Sequence, residues 1–79
     1  MSIQQLQIIF SDATIKTWHQ HPNGNGWVEN TATVEDTCYV AEDAQVYGDA
    51  RVFGDARVFG DARVFGDAQV YGDARVFGD

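Results

Sequence analysis

The sequence predicts an all-β protein in which very short strands alternate with tight corners and wind into a coil. Three observations lead there. Valine stands at 28, 34, 40, 46, 52, 58, 64, 70 and 76, a six-residue period without a miss. A small residue stands two places before each valine, at Gly26, Ala32, Cys38, Ala44, Ala50, Ala56, Ala62, Ala68 and Ala74. From Gly48 onward a Gly-Asp pair punctuates every hexad. A repeat of this length specifies architecture more strongly than local propensity does.

The hexad Ala-Arg-Val-Phe-Gly-Asp can be read residue by residue. Strand side chains alternate faces, so Ala and Val share the inner face while Arg and Phe share the outer one. Gly accepts positive φ and Asp bonds local backbone, so Gly-Asp ends the strand and turns the chain. A helix is excluded, because a six-residue period scatters valine around the helical wheel and glycine recurs too often. A flat meander would expose many short edges. Winding lets each strand pair with the coils above and below it, about 4.8 Å away.

The run AQVYGDARVFGDARVFGD at 44–61 resembles the hexapeptide-repeat proteins, most closely the Val-Tyr/Phe-Gly-Asp/Asn-Ala repeat proteins of bacteria and phages. The stretch GNGWVENTATV resembles their lead-in segment. That resemblance spans 26–79 and implies a left-handed parallel β-helix of triangular section with three hexads per coil. The coils would then be 26–43, 44–61 and 62–79. One departure is that Tyr or Phe, not a small residue, follows valine. The ninth hexad ends flush at residue 79. Solenoids ordinarily end in an atypical cap. A trimmed or designed chain, or a cap supplied by another chain, is therefore expected.

With residue i beneath i+18, the outer side chains form columns. Tyr47 lies under Phe65, Phe53 under Tyr71 and Phe59 under Phe77; Gln45 pairs with Arg63, Arg51 with Gln69 and Arg57 with Arg75. Corners stack Asp43/Asp61/Asp79, Asp49/Asp67 and Asp55/Asp73. The aromatic columns either stack on themselves beneath arginine stems or form an apolar patch that a second subunit covers. Tyr47, Phe53, Phe59, Phe65, Tyr71 and Phe77 are thus the candidate assembly surface, and Val64, Val70 and Val76 the core of an open last coil. The aspartate columns are read as turn chemistry, since calcium needs oxygen donors from several directions.

Residues 1–25 break the repeat. Leu6, Ile8 and Phe10 alternate and predict a strand. The run from His19 to Gly26 predicts a loop. Two strands and a loop are expected to cap the coil, burying Ile3, Leu6, Ile8, Phe10, Ile15 and Trp18.

Function is read mainly by exclusion. A net charge of −7 speaks against nucleic acid. No apolar run reaches a membrane span and no secretory signal is seen, so a cytoplasmic or virion-associated site is expected. Cys38 is alone and fills a small-residue slot, as a buried hydrophobe. His19 and His21 lack a third ligand, so no metal is expected. Nor is any cofactor.

Hexapeptide acyltransferases use a histidine base, and this repeat contains neither histidine nor an inserted loop. A non-catalytic structural module that assembles with itself is expected. A trimer packed through its faces leads, as that family commonly forms, followed by an end-to-end dimer. The alternatives are an acyltransferase-like protein and a surface that binds carbohydrate or ice.

Overall fold

The computed structural model describes residues 2–78. It opens not with a strand but with helix α1, Ile3–Ile9. Ser2 and Gln5 close a capping box: Ser2 Oγ accepts from the Gln5 amide at 3.2 Å, and Gln5 Oε1 accepts from the Ser2 amide at 2.9 Å. The governing period is helical. Ile3, Leu6 and Phe10 fall on one stripe, with Leu6 fully buried and the other two packed beside it. Ile8 lies two residues from Leu6, on the opposite side of the helix, and is 84% exposed. Ile15, also expected inside, is 76% exposed in the turn that follows.

Strand β1, Trp18–Gln20, takes in His19 and Gln20, both expected in the loop, because they pair antiparallel with β2, Trp27–Glu29. The loop between them turns through Gly24 (φ 104°) and Asn25 (φ 64°), and His21 N–H donates to the Gly26 carbonyl at 2.7 Å. Its other end clasps the coil. Gly26 N–H donates to the Val40 carbonyl, and Val40 N–H donates to the Asn23 carbonyl.

Eight further strands follow: β3 Thr33–Val34, β4 Tyr39–Val40, β5 Gln45–Val46, β6 Arg51–Val52, β7 Arg57–Phe59, β8 Arg63–Val64, β9 Gln69–Val70 and β10 Arg75–Phe77. They distribute in rotation over three sheets, β1-β2-β5-β8, β3-β6-β9 and β4-β7-β10. Apart from β1 all neighbours are parallel, and valine lies on valine: Val28↔Val46↔Val64, Val34↔Val52↔Val70 and Val40↔Val58↔Val76. The repeat thus stacks with an offset of 18 residues, as the hexad requires if three sides complete a turn.

The interior is the valine and small-residue ladder. Val28, Val40, Val46, Val52 and Val58 are fully buried, together with Ala44, Ala50, Ala56 and Cys38. Cys38 takes an alanine slot, its thiol 3.5 Å from the Gly54 carbonyl. Burial pushes that thiol above its ordinary pKa. Corners stack backbone on backbone, with Asp49 N–H donating to the Gly66 carbonyl and Asp55 N–H to that of Gly72. Asp79, expected to complete one corner column, lies outside the described residues.

Candidate functional site

All three expected aromatic pairs form, one on each sheet. Ring centroids are 5.3 Å apart for Tyr47–Phe65, 5.4 Å for Phe53–Tyr71 and 5.0 Å for Phe59–Phe77, with planes within 9–16° of parallel. Valine points in, so the residue after it points out, and the 18-residue offset sets ring over ring. The six rings therefore lie on three separate faces and do not merge into one patch. Phe65, Tyr71 and Phe77 are more than half exposed, and Tyr47, Phe53 and Phe59 are partly buried. At the last coil Val64 is buried, while Val70 and Val76 are only partly covered.

The faces are not equivalent. Strand β1 extends the β2-β5-β8 sheet at its edge, and the segment from α1 to Trp18 packs against the outside of that sheet. Phe10 meets Tyr47 edge-on at 4.6 Å, and Trp18 meets it at 6.0 Å. Leu6, Ala13, Trp18 and Trp27 form a second small core there. Gln45, an outer-column residue, is consequently only 2% exposed. Tyr47 thus belongs to an intramolecular contact, and the candidate surface reduces to the other two faces with Phe65 at the margin. Sequence reasoning missed this cover because the helix was read as a strand.

A second unforeseen feature is how the first turn of the coil meets the next. It has no Gly-Asp corners at 30–31 or 36–37, and side chains take over the backbone's bonds. Glu29 Oε1 accepts from Gly48 N–H at 2.9 Å, and Thr31 Oγ1 donates to the Gly48 carbonyl at 2.7 Å. Glu35 and Thr37 treat Gly54 in the same way. The signal was legible as Glu-Asn-Thr at 29–31 and Glu-Asp-Thr at 35–37, six residues apart.

The outer columns also leave grooves between corner and face. The larger, about 610 Å³, is lined by Asp55, Arg57, Asp73 and Arg75, with Tyr39 and Phe59 beside them. A smaller one of about 380 Å³ runs past Asp49, Arg51, Asp67 and Gln69. The two histidines part company. His19 Nδ1 lies 2.6 Å from Asn30 Oδ1 at the surface, and His21 is buried with Nε2 2.8 Å from the Cys38 carbonyl. Among the described residues no group of three or more metal-ligating side chains forms.

Parallel sheets, an 18-residue offset and a valine interior define a β-solenoid repeat protein. Consistent with that class, residues 44–58 and 68–79 match the family model described as the YdcK beta solenoid repeat. No curated protein and no solved structure matches the chain. Among the described residues no helix is long and apolar enough to cross a membrane.

Proposed function

We propose that this chain is a non-catalytic structural module, a left-handed solenoid of three coils (26–43, 44–61 and 62–79) behind an N-terminal cap, that assembles laterally with further copies of itself. The observation that carries this reading is the exposure of Tyr71 and Phe77 on two faces that none of the other described residues covers. Stacked rings in water keep an apolar outer surface, and burying it against a like surface is favourable at roughly 25 cal/mol per Å². Whatever follows the last coil, further repeats or a second copy, meets the partly covered Val70 and Val76 as an apolar surface. The absence of a catalytic role is supported by His21, whose ring is 2% exposed and engaged with a backbone carbonyl. No outward histidine on the repeat offers a general base.

Light scattering over a dilution series tests the proposal. A discrete oligomer is expected, with Phe59→Asp lowering its mass and Phe65→Asp, beside the N-terminal cap, lowering it less. A folded monomer at millimolar concentration would refute lateral assembly.

A further inference from the structure

We propose that the β4-β7-β10 face joins two copies of this chain side by side and parallel, with Arg57 and Arg75 of each copy against Asp55 and Asp73 of the other. The inference rests on the self-assembly reading above and specifies its face, its orientation and its polar contacts.

Three observations bear on this face, and the first is particular to it. Arg57 and Arg75 are directly opposite in the β7-β10 register, whereas the other faces alternate arginine with glutamine as Arg51↔Gln69 and Gln45↔Arg63. Like charges placed opposite one another in a ladder are destabilising. Among the described residues neither guanidinium is ion-paired. Finally, Asp55 and Asp73 border the same groove, and all four charged residues are exposed. A small anion would meet the two carboxylates as readily as the two guanidiniums. The groove therefore selects a partner that carries both signs at the same spacing. A second copy does so, because the register that sets Arg75 beside Arg57 on adjacent strands is common to both.

Symmetry then decides orientation. Two copies meeting face to face can be related by a two-fold axis that runs either across the strands, along the stack, or along the strands. An axis along the strands makes the solenoids antiparallel and sets each column against itself, arginine on arginine and aspartate on aspartate. An axis along the stack keeps them parallel and reflects one column onto the other. With that axis midway between the columns, Arg57 faces Asp55 of the second copy and Arg75 faces its Asp73, while the Phe59–Phe77 columns of the two copies lie at opposite margins of the contact. The reciprocal contacts make four ion pairs, and the contact is isologous and closed. Where the resemblance led to an expectation of three copies, this face closes with two.

The test is sedimentation velocity on four proteins: wild type, R57E/R75E, D55R/D73R and the quadruple variant carrying all four changes. The four substitutions lie on exposed side chains outside the core, and circular dichroism checks that each protein folds. Wild type should dimerise, with Kd rising on the order of 10- to 100-fold from 0.05 to 0.5 M salt, as four exposed pairs imply. Each double variant should be monomeric. An equimolar mixture of the two should dimerise, and the quadruple variant should recover association on its own. Undiminished oligomers in both double variants, or salt-insensitive wild type, would overturn this face while leaving lateral assembly intact. A monomeric wild type would overturn both. Failure of the mixture and of the quadruple variant would show that the charges do not face one another.

Discussion

The stacking of corners can be tested with two glycines that share a conformation and differ only in what stands above them. Gly54 (φ 78°) and Gly72 (φ 67°) occupy the same corner one coil apart. A Cβ on Gly72 would meet nothing within 4 Å, whereas one on Gly54 would lie 3.0 Å from the Gly72 nitrogen and 3.2 Å from its carbonyl oxygen. Alanine in the left-handed region costs about 1–2 kcal/mol. The stiffer unfolded chain returns roughly 0.4–1 kcal/mol of that. Gly72→Ala should therefore destabilise by about 1 kcal/mol. Gly54→Ala bears the same cost and must also push backbone away from backbone, where no side chain can rotate aside. That overpacking adds about 1–3 kcal/mol. Urea unfolding followed by far-ultraviolet circular dichroism, at one fixed protein concentration, measures both. Asparagine separates the contributions, since it tolerates positive φ. Gly72→Asn should be close to neutral, and Gly54→Asn should keep the steric part. Equal losses at the two positions would refute the argument that corner packing, beyond φ alone, demands glycine within the stack.

Three further outcomes follow from the same geometry. Leu6→Ala should cost about 2–5 kcal/mol because its side chain is fully buried, while Ile8→Ala, on the wet side of α1, should stay within about 0.5 kcal/mol; equal effects would restore the strand reading. Val52→Asp should abolish cooperative folding, since a carboxylate would enter the fully buried part of the valine ladder, and a folded variant would contradict the inward direction of that column. Cys38 holds its proton more tightly folded than unfolded, so its contribution is complete below the ordinary thiol pKa of 9.0 and is lost as pH rises through the raised folded value. Wild type should thus lose stability above pH 9 relative to Cys38→Ala, and parallel pH profiles of the two would refute this.

The coil was legible because its period is a multiple of two. Once Val28 is inside, every sixth residue is inside; with the three hexads per turn that the resemblance implied, sheet membership follows from counting. Ring pairs such as Phe53–Tyr71 then come from the 18-residue offset alone. The N-terminal quarter was not legible in the same way. Leu6, Ile8 and Phe10 satisfy a strand alternation, and Ile3, Leu6 and Phe10 satisfy a helical one equally well. Only the capping box at Ser2 and Gln5 breaks the tie, and a four-residue polar signal is easily outweighed by three apolar residues. Glu29 and Glu35 were hidden for another reason. They stand at the outward position that aromatics hold later, so they read as surface charge, while the backbone amides they accept from lie 19 residues ahead.

The N-terminal segment matters to function because it breaks a symmetry the repeat would otherwise have. Left to the hexad, three faces would offer similar aromatic columns, and copies could associate through any of them. Such a surface has several competing geometries and invites open-ended growth. Phe10 and Trp18 remove the Tyr47 face from that competition by packing on it within the chain. The remaining faces differ in charge pattern, with Arg51 opposite Gln69 on one and Arg57 opposite Arg75 on the other. A partner that must present acid to two stacked arginines is thereby directed to a single face. Removing the aromatic contacts, as in F10A/W18A, should uncover Tyr47 and turn the proposed closed assembly into a heterogeneous one, which sedimentation velocity would show as a spread of species. In the proposed assembly the repeat supplies the adhesive surface, and the departures from the repeat determine where it acts.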